Sequence, residues 1–293
     1  MRTAFIAIVG RPNVGKSTLM NHLLGEKVAI VSPKPQTTRN RIAGILTKGE
    51  DQYVFLDTPG VHHAKNKLGE FMMKTVRSSV GSADAVILIA EAGYPAGEIE
   101  KNLINQIKKS ELPSILVLNK IDLVNREKLA ETIANYAALH DFDAVVPTCA
   151  ETGKNVSDVL DEAEKFLYEG EWMFDEDSLT DQPERQIAAE IIREKLLRTL
   201  SDEIPHGTAV VIEQFDEDDK MIRIRAEIYC EKQSHKGIIV GKNGETLKKI
   251  GTYAREDMEA FFGTKVYLNL WVKVKEKWRD DQLSLNSFGF KPE

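Results

Sequence analysis

Hydrophobic and polar positions follow two alternating periods over the first 168 residues of the chain. Short apolar runs rich in β-branched residues, such as "FIAIVG", "YVFLDT", "DAVILIA" and "SILVLNK", are separated by stretches in which apolar residues have helical spacing. Repeated alternation of strand and helix predicts an α/β domain with a mostly parallel sheet and helices on both faces. The stretch "GILTKGEDQYVFL" instead predicts two strands around a polar turn, so we expect one antiparallel edge strand.

The order of elements changes after an acidic stretch. Residues 169–184, "EGEWMFDEDSLTDQPE", include seven acidic and no basic residues, and we interpret them as an interdomain linker. The pattern beyond them predicts the order α-β-β-α-α-β, an α+β domain in which helices back a small sheet. The predicted organisation is therefore a first domain at 1–168, the linker, a second domain at 185–279, and a C-terminal tail at 280–293 with a short helix that frays.

Composition supports two cores and one basic region. The chain has 293 residues, of which 42% are hydrophobic, and its net charge is −7. Residues 232–279 nevertheless contain eleven Lys/Arg and five Asp/Glu, a local excess of +6. This asymmetry indicates an anionic partner for the second domain, although a solvated basic face explains it equally well.

The number of cysteines and the hydropathy of the chain indicate the cellular compartment. The chain has two cysteines, too few for a disulfide framework or a zinc site. We therefore expect a reducing, cytoplasmic compartment. The apolar runs near the N-terminus and at 83–90 are too short to span a bilayer. Peripheral association with the cytoplasmic membrane face is left open.

The first glycine loop has the pattern of a phosphate-binding loop. "GRPNVGKST", residues 10–18, fits G-x-x-x-x-G-K-[ST] between a predicted strand and a predicted helix. Backbone N–H groups and the helix N-terminus would surround phosphate oxygens, with Lys16 at the β- and γ-phosphates and Ser17 on Mg²⁺. The predicted contacts are Gly10, Arg11, Pro12, Asn13, Val14, Gly15, Lys16, Ser17 and Thr18.

A second motif, "DTPG" at 57–60, ends a predicted strand. After a phosphate loop, Asp57 is expected opposite Ser17, where it would hold Mg²⁺. The backbone N–H of Gly60 would meet the γ-phosphate. The predicted contacts here are Asp57, Thr58, Pro59, Gly60 and Val61.

A third motif, "NKID" at 119–122, is predicted to select the base of the bound nucleotide. The carboxylate of Asp122 can accept hydrogen bonds from N1–H and the 2-amino group of guanine, whereas adenine offers neither donor. We therefore predict GTP and GDP as ligands. The backbone N–H of Ala150 in "CAETG" would meet guanine O6. The predicted contacts are Asn119, Lys120, Ile121, Asp122, Cys149 and Ala150.

In this order and spacing, the motifs resemble the translation-factor class of small GTPases. In that class the threonine matched by Thr38 of "QTTR", residues 36–39, binds Mg²⁺ in the GTP state, and the sequence leaves Thr37 open as an alternative. The resemblance implies Ser17, Thr38 and Asp57 as metal ligands. It implies Lys16, Thr38, Gly60 and Asn13 as catalytic groups.

The group that orients the attacking water is not evident. Many regulatory GTPases have glutamine where this chain has Val61. His62 or His63 could orient water, but we interpret them as exposed loop residues because the sequence shows no orienting partner. Asn13 resembles the asparagine with which some GTPases hold K⁺ beside the phosphates, and such an ion would neutralise charge in the transition state.

The second glycine loop, "GKNG" at 241–244, lacks the spacing of a nucleotide loop. It fits instead the loop that joins two helices in a KH domain and clamps about four unpaired nucleotides. The order α-β-β-α-α-β is that of a type II KH fold. We expect some apolar residues before the loop to line the RNA groove and others to face the core. The predicted RNA contacts are Ile239, Val240, Gly241, Lys242, Asn243, Gly244 and Lys248.

Across almost its full length the chain resembles the Era family of bacterial GTPases. The resemblance rests on the motifs above together with "QTTRNRI", "IIREKLL", "IVGKNGETLKKIG" and "LWVKVKEKW". It implies a monomeric GTPase that binds 16S rRNA near its 3′ end and assists assembly of the small (30S) ribosomal subunit or its precursor. Cys149 departs from the serine frequent in the family. An RNA-binding module that uses GTP only as a structural ligand is the alternative, and the intact Mg²⁺ set favours the GTPase.

Overall fold

The computed structural model describes residues 1–291. The chain divides into two compact units, the first formed by Met1–Ala64 and Gly69–Asp181 and the second by Lys65–Leu68 and the residues from Gln182 onward. Among the residues described, no helix combines the length and the apolar character needed to cross a membrane.

The first unit is built around a mixed sheet of seven strands. The strand order is β2-β3-β1-β4-β5-β6, and β7 pairs with β1. The strands are β1 (Arg2–Val9), β2 (Ile42–Lys48), β3 (Asp51–Asp57), β4 (Ala85–Glu91), β5 (Ser114–Asn119), β6 (Ala144–Pro147) and β7 (Tyr168–Glu169). The helices are α1 (Lys16–Leu24), α2 (Lys67–Gly81), α3 (Glu98–Ser110), α4 (Arg126–Ala137) and α5 (Val156–Glu164).

The predicted pairing of the first unit is confirmed. Strand β2 runs antiparallel to β3, and the pairs β1–β3, β1–β4, β4–β5 and β5–β6 are parallel. Strand β4 is buried along Ala85–Ala90 because apolar clusters cover both faces of the sheet. The carboxyl ends of β1, β3 and β5 reach one edge, so the three predicted nucleotide motifs begin side by side.

The acidic stretch is ordered against the first unit. The backbone N–H of Ile45 donates to Leu179 O at 2.9 Å, and Gly44 forms an antiparallel bridge with Thr180. The side chain of Gln52 donates to Phe174 O at 2.9 Å. Residues 172–181, here called the edge segment, therefore cover the outer edge of β2. The first unit extends to Asp181, whereas the sequence places the domain end at 168.

The second unit has the predicted order of elements. A three-stranded sheet has the order β10-β9-β8, with β9 antiparallel to β8 and parallel to β10. Its helices pack against the sheet around one apolar cluster. The elements are α6 (Glu184–Thr199), β8 (Ala209–Asp218), β9 (Met221–Cys230), α7 (Gln233–Val240), α8 (Glu245–Phe262), β10 (Lys265–Val274) and α9 (Gln282–Ser287).

The C-terminal tail is packed rather than frayed. Trp278 is fully buried, stacks on Phe290 at 6.0 Å between ring centroids, and donates its indole N–H to Gly207 O at 2.9 Å. Leu285 of α9 is also buried. The prediction of a fraying helix is therefore wrong, because the aromatic residues around α9 give the helix a core to pack on. Residues 292–293 of the predicted tail lie outside the described residues.

Candidate functional site

The nucleotide motifs meet in one groove of the first unit. The groove measures about 610 Å³, and its lining includes Asn13, Lys16, Thr38, Asn119 and Asp122. The phosphate loop joins β1 to α1, and its Gly15 has a φ of 105°. A Cβ on Gly15 would lie 2.3 Å from Nδ2 of Asn119. Glycine is therefore required here both by the backbone conformation and by the close approach of the base-binding loop.

Three oxygen-bearing side chains meet at the phosphate end of the groove. Ser17 Oγ donates to Asp57 Oδ2 at 2.6 Å, and Thr38 Oγ1 donates to the same oxygen at 3.1 Å. The other oxygen, Oδ1 of Asp57, is buried and has no hydrogen-bond partner among residues 1–291. Burial raises the pKa of Asp57. Hard oxygen donors around a carboxylate oxygen that lacks a partner fit Mg²⁺, which would stabilise the charged form.

Thr38 and Thr37 point in different directions. Thr38 Oγ1 lies 3.0 Å from Ser17 Oγ, at the candidate metal site. Thr37 Oγ1 donates to Lys34 O at 2.7 Å, within its own loop. Of the two threonines left open by the sequence, the structure therefore brings Thr38 to the site.

Lys16 is a buried cation held by backbone oxygens. Its Nζ donates to Arg11 O at 2.8 Å and to Gly10 O at 3.4 Å. Burial lowers the pKa of Lys16 to about 8, and the nearby charge of Asp57 acts in the opposite direction. A buried ammonium in a loop of N–H groups is suited to bind an anion, since phosphate oxygens would supply the missing negative charge.

Asn119 connects the three loops around the base position. Its Nδ2 donates to Val14 O at 2.7 Å, and its Oδ1 accepts from Ala150 N at 2.8 Å and from Thr148 Oγ1 at 3.2 Å. The Ala150 N–H, predicted to meet guanine O6, thus donates to Asn119 in this structure. Asp122 is exposed in the groove, where its carboxylate is accessible to a base.

The two switch segments are tied to the phosphate loop and to each other. We call Gln36–Arg39 switch I and Asp57–His63 switch II. A Cβ on Gly60 would lie 2.6 Å from Pro12 Cα, so switch II approaches the phosphate loop closely at this glycine. Val61 N donates to Gly10 O at 3.0 Å, while its side chain packs against an apolar cluster. Val61 therefore cannot orient water.

His62 differs from its interpretation as an exposed loop residue. Its Nδ1 lies 2.8 Å from Gly60 O, so this nitrogen carries the proton and donates. Its Nε2 lies 3.4 Å from Nε2 of Gln36 in switch I. His62 is half-buried and has the orienting partners that the sequence did not reveal, whereas His63 is exposed.

Sequence reasoning missed the support of the phosphate loop by α3. Arg11 Nη2 donates to Oε2 of Glu100 at 2.6 Å, and Gly97 N donates to the same oxygen at 3.0 Å. Glu100 is 4% exposed. The available signal was the position of this acid, which lies on the apolar face of α3 with Leu103, Ile104 and Ile107.

The second glycine loop joins α7 to α8 in the second unit. Gly241, Asn243 and Gly244 have φ values of 75°, 53° and 80°. A Cβ on Gly241 would lie 2.2 Å from Thr246 Oγ1, so only glycine fits there. The side chains of Lys242, Asn243 and Lys248 are exposed, as a clamp on a nucleic-acid backbone requires.

One predicted RNA contact is corrected by the structure. Ile239 is fully buried in the core of the second unit, with Ile250 and Met258, and cannot contact a ligand. Ile238 is 51% exposed and takes its place as the accessible isoleucine, whereas Val240 is partly buried. The sequence could not separate the two because adjacent residues of a short helix both border an apolar stripe.

Comparisons with known proteins agree with both halves of the chain. A family model described as "50S ribosome-binding GTPase" matches residues 5–120, and a KH-domain model matches residues 203–279. The chain is 47% identical to GTPase Era of Ruminiclostridium cellulolyticum over 291 residues, covering 99% of this chain and 98% of that protein. It is 48% identical to GTPase Era of Clostridium kluyveri over 292 residues, covering 99% and 100%.

Two solved structures are similar over their full length. One is Era in complex with MgGDPNP and nucleotides 1506–1542 of 16S ribosomal RNA, with 38% identity, a TM-score of 0.96 and 100% coverage of both chains. The other is a single-residue variant of Aquifex aeolicus Era bound to GDP and AlF4⁻, with 39% identity, a TM-score of 0.96 and the same coverage. From its two matched domains and its full-length relatives, the chain belongs to the Era family of GTPases.

Proposed function

We propose that the protein is a Mg²⁺-dependent GTPase switch that hydrolyses GTP to GDP and phosphate, binds 16S rRNA near its 3′ end, and assists assembly of the small ribosomal subunit. The observation that carries the catalytic part is the meeting of Ser17, Thr38 and Asp57 around a carboxylate oxygen without a partner. The complex of an Era relative with MgGDPNP and a 16S rRNA segment supports the ribosomal part.

The phosphate end of the groove would bind the triphosphate through this chain's own charges and dipoles. Lys16 would exchange the carbonyls of Gly10 and Arg11 for β- and γ-phosphate oxygens. Ser17, Thr38 and Asp57 would hold Mg²⁺, which supplies charge neutralisation at the phosphates.

Switch II would complete the site around the γ-phosphate. The backbone N–H of Gly60 would face this phosphate from the point where switch II nearly touches Pro12. His62 keeps this glycine in place through its contact with Gly60 O.

Base recognition would follow from Asp122 and Asn119. An exposed carboxylate at Asp122 becomes buried under a guanine that supplies two N–H donors, and this makes the pair selective. Asn119 fixes the position of the base loop through its bond to Val14 O. Reading of guanine O6 by Ala150 would require its N–H to exchange Asn119 for the base.

The second ion and the cellular setting are finer proposals. Asn13 lines the nucleotide groove, and Val61 supplies no polar group, so we propose K⁺ beside the phosphates as the charge that assists hydrolysis.

We place the protein in the cytoplasm because both thiols, Cys149 and Cys230, are free and buried. The monomeric state and peripheral membrane attachment remain predictions.

A turnover assay tests the proposal against a purely structural use of GTP. Purified protein should release phosphate from GTP in Mg²⁺, release none in EDTA, and respond to 30S subunits with a changed rate. Asp57→Ala should abolish hydrolysis, because it removes the carboxylate shared by Ser17 and Thr38. GTP binding without any turnover, with or without 30S subunits, would instead support an RNA-binding module that keeps GTP as a structural ligand.

A further inference from the structure

A second groove of the first unit lies beside switch II. We call it the α2–α3 groove, because these two helices form its walls and residues 61–64 form one end. Its volume is about 630 Å³, comparable to the 610 Å³ of the nucleotide groove. None of its side chains from α2 or α3 has a part in the nucleotide chemistry described above. A groove of this size is large enough to take a ligand of its own.

The charge of the α2–α3 groove is positive in an acidic chain. Lys74 and Arg77 of α2 and Lys109 of α3 line it, and among the described lining residues only Glu70 is acidic. In the described part of the chain, no carboxylate lies within 4.0 Å of the side-chain nitrogens of these three cations. Three cations without ion-pair partners around one concave surface attract an anionic ligand.

The remaining lining indicates a nucleic acid rather than a protein. Asn102, Asn105 and Gln106 present amide side chains between the cations. Of the large apolar lining residues, Val76 and Leu103 are each 2% exposed, and Val61, Met73 and Ile99 are partly buried, so none of them is a fully exposed anchor. A protein partner would need exposed apolar or aromatic anchors, whereas phosphates are bound by Lys, Arg and amide side chains.

Hydrogen bonds connect the α2–α3 groove to the phosphate loop at one end and along one wall. Val61, at its end, donates its backbone N–H to Gly10 of the phosphate loop. Helix α3, its wall, holds Arg11 of the same loop through Glu100. A ligand that moves α3 or switch II would therefore shift the groups that surround the phosphates.

From this arrangement we propose that the α2–α3 groove binds the phosphate backbone of small-subunit rRNA, as a second RNA contact separate from the GKNG loop, and that this contact changes the rate of GTP hydrolysis. The inference rests on the proposed function, because it assigns the regulation of that GTPase to a surface of its own first unit. The GKNG loop then provides the main RNA contact, and RNA bound in the α2–α3 groove changes the position of the groups around the phosphates.

The test reverses the charge of the groove in the full-length protein. The variant Lys74→Glu/Arg77→Glu/Lys109→Glu is compared with a matched control, Lys48→Glu/Lys128→Glu/Lys165→Glu, which makes the same charge change at exposed residues elsewhere on the first unit. Binding to a protein-free 16S rRNA transcript and to 30S subunits is measured over a series of salt concentrations. GTP turnover is measured with each ligand and without any.

We expect the groove variant to bind protein-free 16S rRNA at least tenfold more weakly, with a slope of log K against log salt smaller by about 2–3. Its RNA-dependent change in turnover should disappear, while GTP affinity and RNA-free turnover stay those of the unmodified protein. The control variant should retain most of its rRNA affinity and all of the RNA-dependent change. A second variant, with glutamine at the same three positions, should show the same losses to a smaller extent.

Two results would overturn the inference. If the groove variant keeps both its rRNA affinity and its RNA-dependent turnover, the groove does not bind RNA. If only its binding to 30S subunits weakens, and binding to protein-free rRNA is unchanged, the groove binds a ribosomal protein instead. Failure of the proposed function itself looks different, since the unmodified protein would then bind no rRNA or hydrolyse no GTP.

Discussion

At the scale of single residues, Lys16 illustrates how function and stability oppose each other. The folded protein holds this ammonium in a buried loop and lowers its pKa from 10.5 to about 8. The unfolded chain keeps the proton up to about pH 10.5, whereas the nucleotide-free folded protein releases it near pH 8. Between these values the unfolded state binds more protons, so the free energy of unfolding contributed by Lys16 rises with pH.

Lys16→Met should therefore stabilise the nucleotide-free protein while it abolishes GTP binding. We expect a gain on the order of 1–3 kcal/mol at pH 7, because the buried ammonium is removed, and a smaller gain as the pH approaches 10. Urea unfolding of both proteins without nucleotide, between pH 7 and 9.5, measures this difference. A variant equally stable to the unmodified protein at every pH would contradict the burial of an uncompensated charge.

Asp122→Asn should change the base that is bound. The carboxylate would accept two hydrogen bonds from guanine, whereas an amide at this position would donate one hydrogen bond to a 2-oxo purine. We expect GTP affinity to fall about 100-fold or more and affinity for xanthosine triphosphate to rise. Competition with a fluorescent nucleotide measures both. Equal binding of GTP and ATP by the unmodified protein would remove the basis of this assignment.

Asn13 is the residue through which K⁺ would act. The side chain lines the nucleotide groove and its Nδ2 donates to Pro33 O at 2.7 Å. Hydrolysis should be faster in K⁺ than in Na⁺ at equal ionic strength, and Asn13→Ala should remove the difference. Steady-state phosphate release in the two salts measures it. Identical rates in both salts for the unmodified protein would exclude a role of K⁺. His62, which contacts Gln36 of switch I and Gly60 of switch II, would then be the next candidate to assist hydrolysis.

At the scale of elements, the sequence predicted the structure correctly where elements that are adjacent in the chain also pack together. The polar turn between β2 and β3 predicted their antiparallel pairing, and motif spacing predicted the nucleotide groove. Strand β7 was missed because two residues have no periodicity and their pairing with β1 is purely tertiary. The Arg11–Glu100 pair joins residues 89 apart in sequence, and no local rule connects them.

The acidic stretch shows a further limit of sequence reasoning. Its charge indicates exposure, and most of its side chains are indeed solvated. The backbone N–H groups of edge strand β2 nevertheless need acceptors, and only the folded structure shows that the edge segment supplies them.

The GKNG loop should bind RNA without affecting hydrolysis in the absence of RNA. Lys242→Asp/Asn243→Asp places two negative charges against a phosphate backbone, each costing on the order of a few kcal/mol before screening. We expect loss of binding to the 3′ segment of 16S rRNA, and unchanged GTP affinity, because both positions are exposed and belong to the second unit. Filter binding and phosphate release measure the two effects.

Lys220→Asp is a single-site control for this variant, and it changes the net charge by −2 where the loop variant changes it by −3. Lys220 is an exposed lysine of the turn between β8 and β9, and its replacement should leave RNA binding near normal. Unchanged RNA binding by the loop variant would exclude the clamp.

At the scale of the whole molecule, the two glycine loops lie in different units. The first loop, with Lys16 and Ser17, lies in the first unit, and the GKNG loop lies in the second. Each loop depends on glycines with left-handed φ values, but the first surrounds a buried cation and the second presents an exposed one. We therefore expect substitutions in the first loop to remove nucleotide binding, and substitutions in the GKNG loop to remove its RNA contact while the nucleotide site stays intact.

The edge segment determines which C-terminal truncation leaves the first unit monomeric. Phe174 packs on Ala43, Ile45, Val54 and Leu56, so a fragment ending at residue 168 would expose this apolar surface and a seven-residue strand with open N–H donors. Such a fragment should self-associate through its edge strand, whereas residues 1–181 should stay monomeric. Light scattering after size-exclusion chromatography distinguishes them, and Phe174→Asp in the longer fragment should restore association. We therefore expect the ten residues of the edge segment to prevent edge-to-edge aggregation of the GTPase unit.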